Sequence, residues 1–331
     1  MIRHLPPHWI EKARQYGGPM LAVIVFGLAI QMLVGELQTI KWTEFKQGFQ
    51  SIPIGQVIVA TFLVAMNYVL LAGYDLLAIR YLRRAIPVRR VLLVSFLGYS
   101  LGNNFGTLLA ATPIRFRFYL RWGVPPAQIL VLVAILGLTF WSGLWFLGGA
   151  VLTLVPIELP DGMTPPIGTR WIGVVLLTLG LGYFLACAVW RKPLPFGRLH
   201  LRLPAPGLMS CQACVAAVDL FISATALYFV LPGSAEVSFA TVMAAYLLGI
   251  AASLVLQLPG GLGLLELILL KVLKESAGGG VIASLLVFRC IYYFAPLILG
   301  MVLLLAYEIY GGAVEARRAV PDPEGRVDKL E

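Results

Sequence analysis

Apolar residues along this chain fall in long blocks rather than in stripes. Six blocks, residues 19–38, 52–79, 127–155, 171–190, 208–231 and 282–307, run almost without a charged interruption. A helix needs about 20 residues to cross about 30 Å of hydrocarbon, so each block reads as a full membrane span. Two further blocks, 88–111 and 239–273, are broken by Gly, Asn and Pro where a simple span would continue. The pattern predicts an all-α polytopic membrane protein of six full spans plus two interrupted or re-entrant segments. Eight plain spans are the alternative.

Charge distinguishes the two topologies. Arg80, Arg83, Arg84, Arg89 and Arg90 form one basic connection, and Arg191, Lys192, Arg198 and Arg202 form another. Short basic loops stay on the cytoplasmic side. The connections around Glu158 and Asp161, and around Glu236, lack such clusters and suit the opposite side. Eight plain spans would put Arg115, Arg117 and Arg121 outside. A segment 88–111 that dips in from the cytoplasm and returns keeps all three inside. The same reading makes 239–273 dip in from the outside, so the two halves are inverted and both termini are cytoplasmic. Inverted halves with broken helices meeting near the midplane are a transporter architecture, because irregular backbone at that depth must line a cavity or be buried in protein.

Composition narrows the function classes. Hydrophobic residues make up 60% and charged residues 12%, against roughly 25% charged in soluble domains. The polar stretches 191–207 and 311–331 are well below the roughly 50 residues of a small domain. The chain therefore reads as one transmembrane domain, 1–311, with a polar cytoplasmic tail, 312–331. The net charge of +9 sits in loops beside apolar blocks, which is a topology signal and argues against nucleic acid as a partner. Arg3, Lys12 and Arg14 precede the first block with no small-residue cleavage pattern after it, so that block is expected to be retained. Cys211 and Cys214 form a C-x-x-C without a second ligand pair or a thioredoxin-like setting, and no metal or cofactor is called for. Trp42, Trp122, Trp171 and Trp190 stand at block ends, as interfacial anchors do.

The breaks hold the candidate chemistry. In GYSLGNNFG, Gly98, Gly102 and Gly106 recur every four residues and permit close helix approach. Asn103 and Asn104 must find partners at depth, so they are expected to cap a broken helix or face a polar cavity. The same stretch spells G-x-S-x-G around Ser100, but no strand precedes it and His4, His8 and His200 are all interfacial, so a hydrolase elbow is rejected. In ATPIRFRFYLRWG, Arg115, Arg117 and Arg121 alternate with Phe116, Phe118 and Tyr119. That pattern fits either a snorkelling cytoplasmic cluster or lipid-headgroup recognition by guanidinium forks.

In QLPGGLGLLELILLK, Gln257, Pro259, Gly260, Gly261 and Gly263 interrupt the helix, which should restart near Leu264. A half-helix starting inside the membrane points free N–H groups at an anion, and Glu266 in its first turn partly offsets that field. Glu266, Asp219 and Arg289 are costly at depth, and Arg289 is expected to pair with Glu266 or Asp219. Asp75, with Arg80 close behind, reads as a local interfacial ion pair.

Taken in order, YDLLAIRYL, the Gly-Asn-Asn-Phe-Gly break, R-x-R-x-Y, LPGGLGLLE and FRCIYYFAPLILG resemble the lysylphosphatidylglycerol synthase transmembrane-region family over about residues 52–311. The family includes the flippase portion of multiple peptide resistance factors. The resemblance matches Asn103 and Asn104 to the polar break, Arg115 to the arginine after it, Pro259, Gly260, Gly261, Gly263 and Glu266 to the PGG-G-E segment, and Arg289 to the last-helix arginine. Synthases of the family add a cytoplasmic transferase domain that uses lysyl-tRNA, and the short tail here holds none, so the resemblance implies the membrane portion alone.

The expected activity is a lipid flippase or carrier acting on an anionic, aminoacylated, polyprenyl-linked or hopanoid-type membrane lipid, without making or breaking bonds. The competing readings are an intramembrane aminoacyl- or glycosyl-lipid transferase, which lacks an obvious nucleophile and base, and an accessory subunit partnering lipid-biosynthesis proteins.

Overall fold

The computed structural model describes residues 46, 50, 52–155, 157, 168–190, 192, 194–196, 199–231, 238–255, 264–277 and 280–319, with the backbone alone for 194–196, 199–201, 264, 266, 273–277, 280 and 310–319. The block at 19–38 and Trp42 lie outside these residues. In each other expected block the described residues are mostly helical. α1 is Ile54–Tyr81, α2 Val88–Phe105, α3 Thr112–Arg121, α4 Pro126–Gly143, α5 Gly149–Leu154 and α6 Gly168–Val189. A two-stranded hairpin, Leu194–Phe196 with Leu199–Leu201, lies in the second basic loop. α7 is Pro206–Val230, α8 Phe239–Val255, α9 Leu264–Ala277, α10 Gly280–Arg289 and α11 Ala295–Ala319. Five helical stretches among the described residues are long and apolar enough to cross a membrane.

Proline marks the starts. Pro53 and Pro87 precede α1 and α2, and Pro126 and Pro206 open α4 and α7. The first turn of a helix has no use for the N–H that proline lacks.

The first interrupted block is a hairpin. α2 ends at Gly106, whose φ of 88° is open to glycine and strained for other residues. A five-residue π-helical turn, Thr107–Ala111, leads directly into α3. The chain then folds back along itself. A Cβ on Gly102 would lie 2.8 Å from that of Ala111, and one on Gly98 would lie 3.0 Å from the Arg115 guanidinium. At the open end Arg90 stacks over Trp122, 5.2 Å from the ring centroid. The glycine face read from the sequence therefore receives the hairpin's own returning arm. The second interrupted block also folds back, since a Cβ on Gly249 of α8 would meet Leu265 of α9 at 2.5 Å. α9 is described from Leu264, and the break expected before it lies outside the described residues.

Each hairpin is preceded by a long helix, α1 or α7, and followed by one broken by a five-residue π segment. These segments are Leu144–Gly148 between α4 and α5, and Cys290–Phe294 between α10 and α11. α1 and α7 pack along each other at the centre. Gly73 faces Val215 in that contact, and Gly143 of α4 sits against the α7 backbone at Ala216. Small residues at such crossings let helices approach to dispersion distance, the main attraction available in lipid.

The bundle places polar side chains inside and apolar ones outside. On α1, Ile58, Phe62, Met66 and Val69 are exposed, whereas Asn67, Tyr68, Leu71, Tyr74, Asp75 and Ala78 are buried. The buried positions follow helical spacing and form one stripe facing α7 and the first hairpin. Trp171 and Trp190 are exposed at the two ends of α6, as interfacial anchors should be. All four cysteines are free.

Candidate functional site

The inward stripe of α1 builds two linked polar centres. The first joins α1 to the returning arm of the hairpin. Arg115 donates from Nε to Asp75 Oδ1 at 3.0 Å and from Nη2 to Oδ2 at 2.9 Å, a bidentate pair in which the side chains are 2% and 0% exposed. The Tyr119 hydroxyl donates to Asp75 Oδ1 at 3.4 Å, and the guanidinium stacks 4.8 Å over Tyr99. Asp75 lies six residues before the end of α1, about 9 Å at the helical rise.

This pair corrects two expectations from the sequence. Asp75 is not in an interfacial pair with Arg80, because α1 turns it inward and leaves Arg80 exposed. Arg115 does not snorkel to the interface, since the hairpin buries it against Asp75. Arg117 is mostly shielded and forms an ion pair with Glu308, at the middle of α11. Arg121 is exposed. The three arginines thus occupy three different environments.

The second centre lies at midspan, on the fourteenth residues of both α1 and α7, Asn67 and Asp219. Asn67 Nδ2 donates to Asp219 Oδ1 at 2.6 Å and the Tyr74 hydroxyl donates to Oδ2 at 2.6 Å. Asn67 Nδ2 also reaches Ser223 Oγ at 3.2 Å. Tyr292, in the second π segment, donates its hydroxyl to Asn67 Oδ1 and accepts from Ser223, each at 3.2 Å. Tyr74 bridges the centres: its ring lies edge-on to Tyr99, on which Arg115 is stacked, with centroids 6.0 Å apart.

The asparagines of the break find partners, as their depth requires. Asn104 Nδ2 donates to the Ser100 carbonyl at 2.8 Å and to the Tyr293 carbonyl at 3.2 Å. Asn103 reaches the Tyr68 hydroxyl at 3.4 Å, and that hydroxyl donates to the Tyr292 carbonyl at 3.1 Å. Two consecutive carbonyls of the π segment therefore accept side-chain donors. A π turn displaces the i to i−4 ladder, so such carbonyls are open to outside donors. Ser100 lies within α2, bonded to the Leu97 carbonyl and packed on Gly300.

Gln257, Pro259, Gly260, Gly261 and Gly263 lie outside the described residues. Glu266 is in the first turn of α9, but its side chain is also outside them. Arg289 ends α10, one residue before the π segment, and makes an interaction of its own. Of its two expected partners, Glu266 falls outside the described side chains, and the Asp219 carboxylate accepts instead from Asn67 and Tyr74. Asn67, Tyr74 and Tyr292 were missed from sequence. The signal for Asn67 was a lone amide in the middle of an apolar span.

Gly98 is what lets Arg115 lie flat. A methyl there would sit 3.0 to 3.2 Å from three guanidinium atoms, and Asp75 holds those atoms in place. Gly98→Ala is expected to destabilise the protein by about 1–3 kcal/mol, as overpacked cores do. Gly182→Ala, with nothing within 4 Å, should leave stability unchanged or slightly raised. Thermal unfolding in detergent checks both.

The chain is 30% identical over 311 residues to the uncharacterized protein slr0712 of Synechocystis, covering 93% of this chain and 97% of that one. It is 27% identical over 302 residues to the inner membrane protein YbhN of Escherichia coli, covering 90% and 94%. It is also 24% identical over 289 residues to the phosphatidylglycerol lysyltransferase of Staphylococcus haemolyticus, covering 86% of this chain but 33% of that enzyme. No family model matches.

Proposed function

The chain belongs to the lysylphosphatidylglycerol synthase transmembrane-region family, and from that premise we propose that it is a lipid flippase or carrier of the inner membrane. Its substrate class is a lipid with an anionic, phosphate-bearing headgroup, bare or aminoacylated. The lysyltransferase relatives act on phosphatidylglycerol by name, and the third of their length that resembles this chain supports a shared role in handling such a lipid.

The observation that carries the reading is the buried Arg115–Asp75 pair on a hairpin that folds back at Gly106. A full guanidinium–carboxylate pair inside an apolar bundle is not needed for stability, because apolar packing of similar volume does as well or better. Arginine at depth fits phosphate recognition by its planar fork. In this reading Arg117 and Arg121 receive the headgroup at the cytoplasmic rim. Arg115 exchanges Asp75 for the phosphate, and the midspan centre of Asn67, Tyr74 and Asp219 lies farther along the path. Asn103 and Asn104 hold the break open against the π segment. Gln257, Pro259, Gly260, Gly261, Gly263, Glu266 and Arg289 form the corresponding part of the second hairpin.

The matched order of long helix, hairpin and π-broken helix supports six full spans with two re-entrant hairpins in inverted halves. A cysteine introduced beside Arg117 in a cysteine-free background should then label from the cytoplasm only. Labelling from outside would restore eight plain spans.

The substrate is tested by lipid-resolved mass spectrometry of the purified protein. A retained anionic phospholipid, lost in Arg115→Gln, is the expected result. Wild-type protein carrying no phosphate lipid, or a bare sterol-like lipid, would end this assignment.

A further inference from the structure

Among the described residues two acids are buried, Asp75 and Asp219, and they are held differently. Asp75 carries the guanidinium of Arg115 on both oxygens. Asp219 is 3% exposed, and its carboxylate oxygens accept from neutral donors, the Asn67 amide and the Tyr74 hydroxyl. The titratable groups that interact with it from the surrounding elements are tyrosines: Tyr68 and Tyr74 on α1, Tyr99 on α2, Tyr246 on α8 and Tyr292 in the π segment. On α7 itself Cys211 and Cys214 are exposed. Arg289 is the charged residue closest in sequence to Tyr292 and has an interaction of its own.

An ionised carboxylate away from water is stabilised by a cation or by donors, and a group held by neutral donors alone is the one able to shed its charge by taking a proton. We infer that Asp219 is a proton-binding site, loaded and emptied during the lipid movement proposed above, on which this inference rests. The geometry also supplies a route to the first centre. Asn67 Nδ2 can only donate, so a proton on Oδ1 breaks that contact and leaves the amide on the Asp219 carbonyl at 3.0 Å and Ser223 Oγ at 3.2 Å, whereas a proton on Oδ2 obliges Tyr74 to turn from donor to acceptor. Tyr74 is bonded in sequence to Asp75, and its ring abuts Tyr99 beneath Arg115. Protonation at midspan therefore acts on the residue standing between the two acids. Tyr246 and Ser223 line the same centre from α8 and α7, so α8 is also affected.

The test uses the full wild-type chain in nanodiscs of phosphatidylglycerol and phosphatidylethanolamine, with dicyclohexylcarbodiimide as probe. The protonated acid adds across the reagent's C=N bond, its proton going to nitrogen and its oxygen to carbon. The O-acylisourea then rearranges to a stable N-acylurea, read as added mass on the peptide. From about pH 5 to about pH 9, a range spanning most shifted carboxyls, Asp219 should label at the acid end and lose labelling toward the alkaline end. Asp75 should stay unlabelled throughout. An Asp219 that never labels, as a carboxylate held by a cation such as Arg289 would behave, overturns the proton site.

Coupling is read in vesicles of the same lipids carrying fluorescent phosphatidylglycerol under an imposed pH gradient. Wild type should move the label away from an equal distribution between leaflets, and Asp219→Asn should leave it equal. An equal distribution in wild type overturns the coupling. No lipid movement at all, read without a gradient as an inner-leaflet pool that stays shielded from an impermeant quencher, would overturn the lipid reading itself; a pool that exchanges yet stays equal under the gradient overturns the coupling alone.

Discussion

Replacing Arg115 by alanine is expected to lower stability by roughly 3–5 kcal/mol, because it strands Asp75 as a buried charge without its cation. Lipid movement should be lost in the same variant. The two effects separate in the double variant Asp75→Asn/Arg115→Gln. With both charges removed, the amides can hydrogen-bond to each other, so most of the stability should return while translocation stays absent. Arg115→Lys should not rescue transport, since a single ammonium cannot reproduce a contact that uses Nε and Nη2 at 3.0 and 2.9 Å. Chemical unfolding in detergent alongside vesicle translocation checks the set. An Arg115→Ala protein as stable as wild type would show that the pair is not what joins the hairpin to α1.

The second large effect is steric. A methyl on Gly143 would lie 2.3 Å from the Cβ of Ala216, 2.6 Å from its backbone carbon and 2.8 Å from the nitrogen of Ala217. No rotamer relieves a clash with backbone, so Gly143→Ala must push α4 away from α7. The neighbouring contact in which Gln212 donates to Thr139 Oγ1 at 2.8 Å would go with it. The expected loss is at least about 1–3 kcal/mol. Ala216→Gly should fail to rescue it, because the backbone atoms remain. A thermal melt of the single and double variants decides, and full rescue would mean that the Cβ contact alone sets the spacing.

Much of this architecture was legible in the sequence. Uninterrupted apolar blocks announced the long helices, whereas the prolines at their starts, 53, 87, 126 and 206, took on that role only in the structure. Gly98, Gly102 and Gly106 announced a close approach and a break, because those steps depend on backbone freedom that few residues supply. What the sequence hid were contacts between distant segments. Asp75 had a cheap local partner in Arg80, whereas its real partner stands 40 residues away on an arm that must first fold back. The inward stripe of Asn67, Tyr74 and Asp75 was present in the spacing, but it acquires meaning only once α7 supplies Asp219. The π segments were invisible, since no residue preference announces a shifted hydrogen-bond ladder. Their role emerges from Asn104 and Tyr68 donating to carbonyls of Tyr293 and Tyr292.

Those contacts give the family's membrane domain a physical outline. Charges and amides are gathered inside, apolar side chains face outward, and a fold-back hairpin carries an arginine to a carboxylate well within the bundle. Each feature costs stability that an inert scaffold would not need to spend. Under the proposed function, a path for a charged headgroup accounts for all of them together.

The most direct test reconstitutes wild-type protein into vesicles whose outer and inner leaflets both carry fluorescent phosphatidylglycerol, then adds a membrane-impermeant quencher. Movement of inner-leaflet lipid to the outside should take the signal well below the half that survives in protein-free vesicles. A signal that settles at the protein-free level, with the protein folded and inserted, would contradict the account.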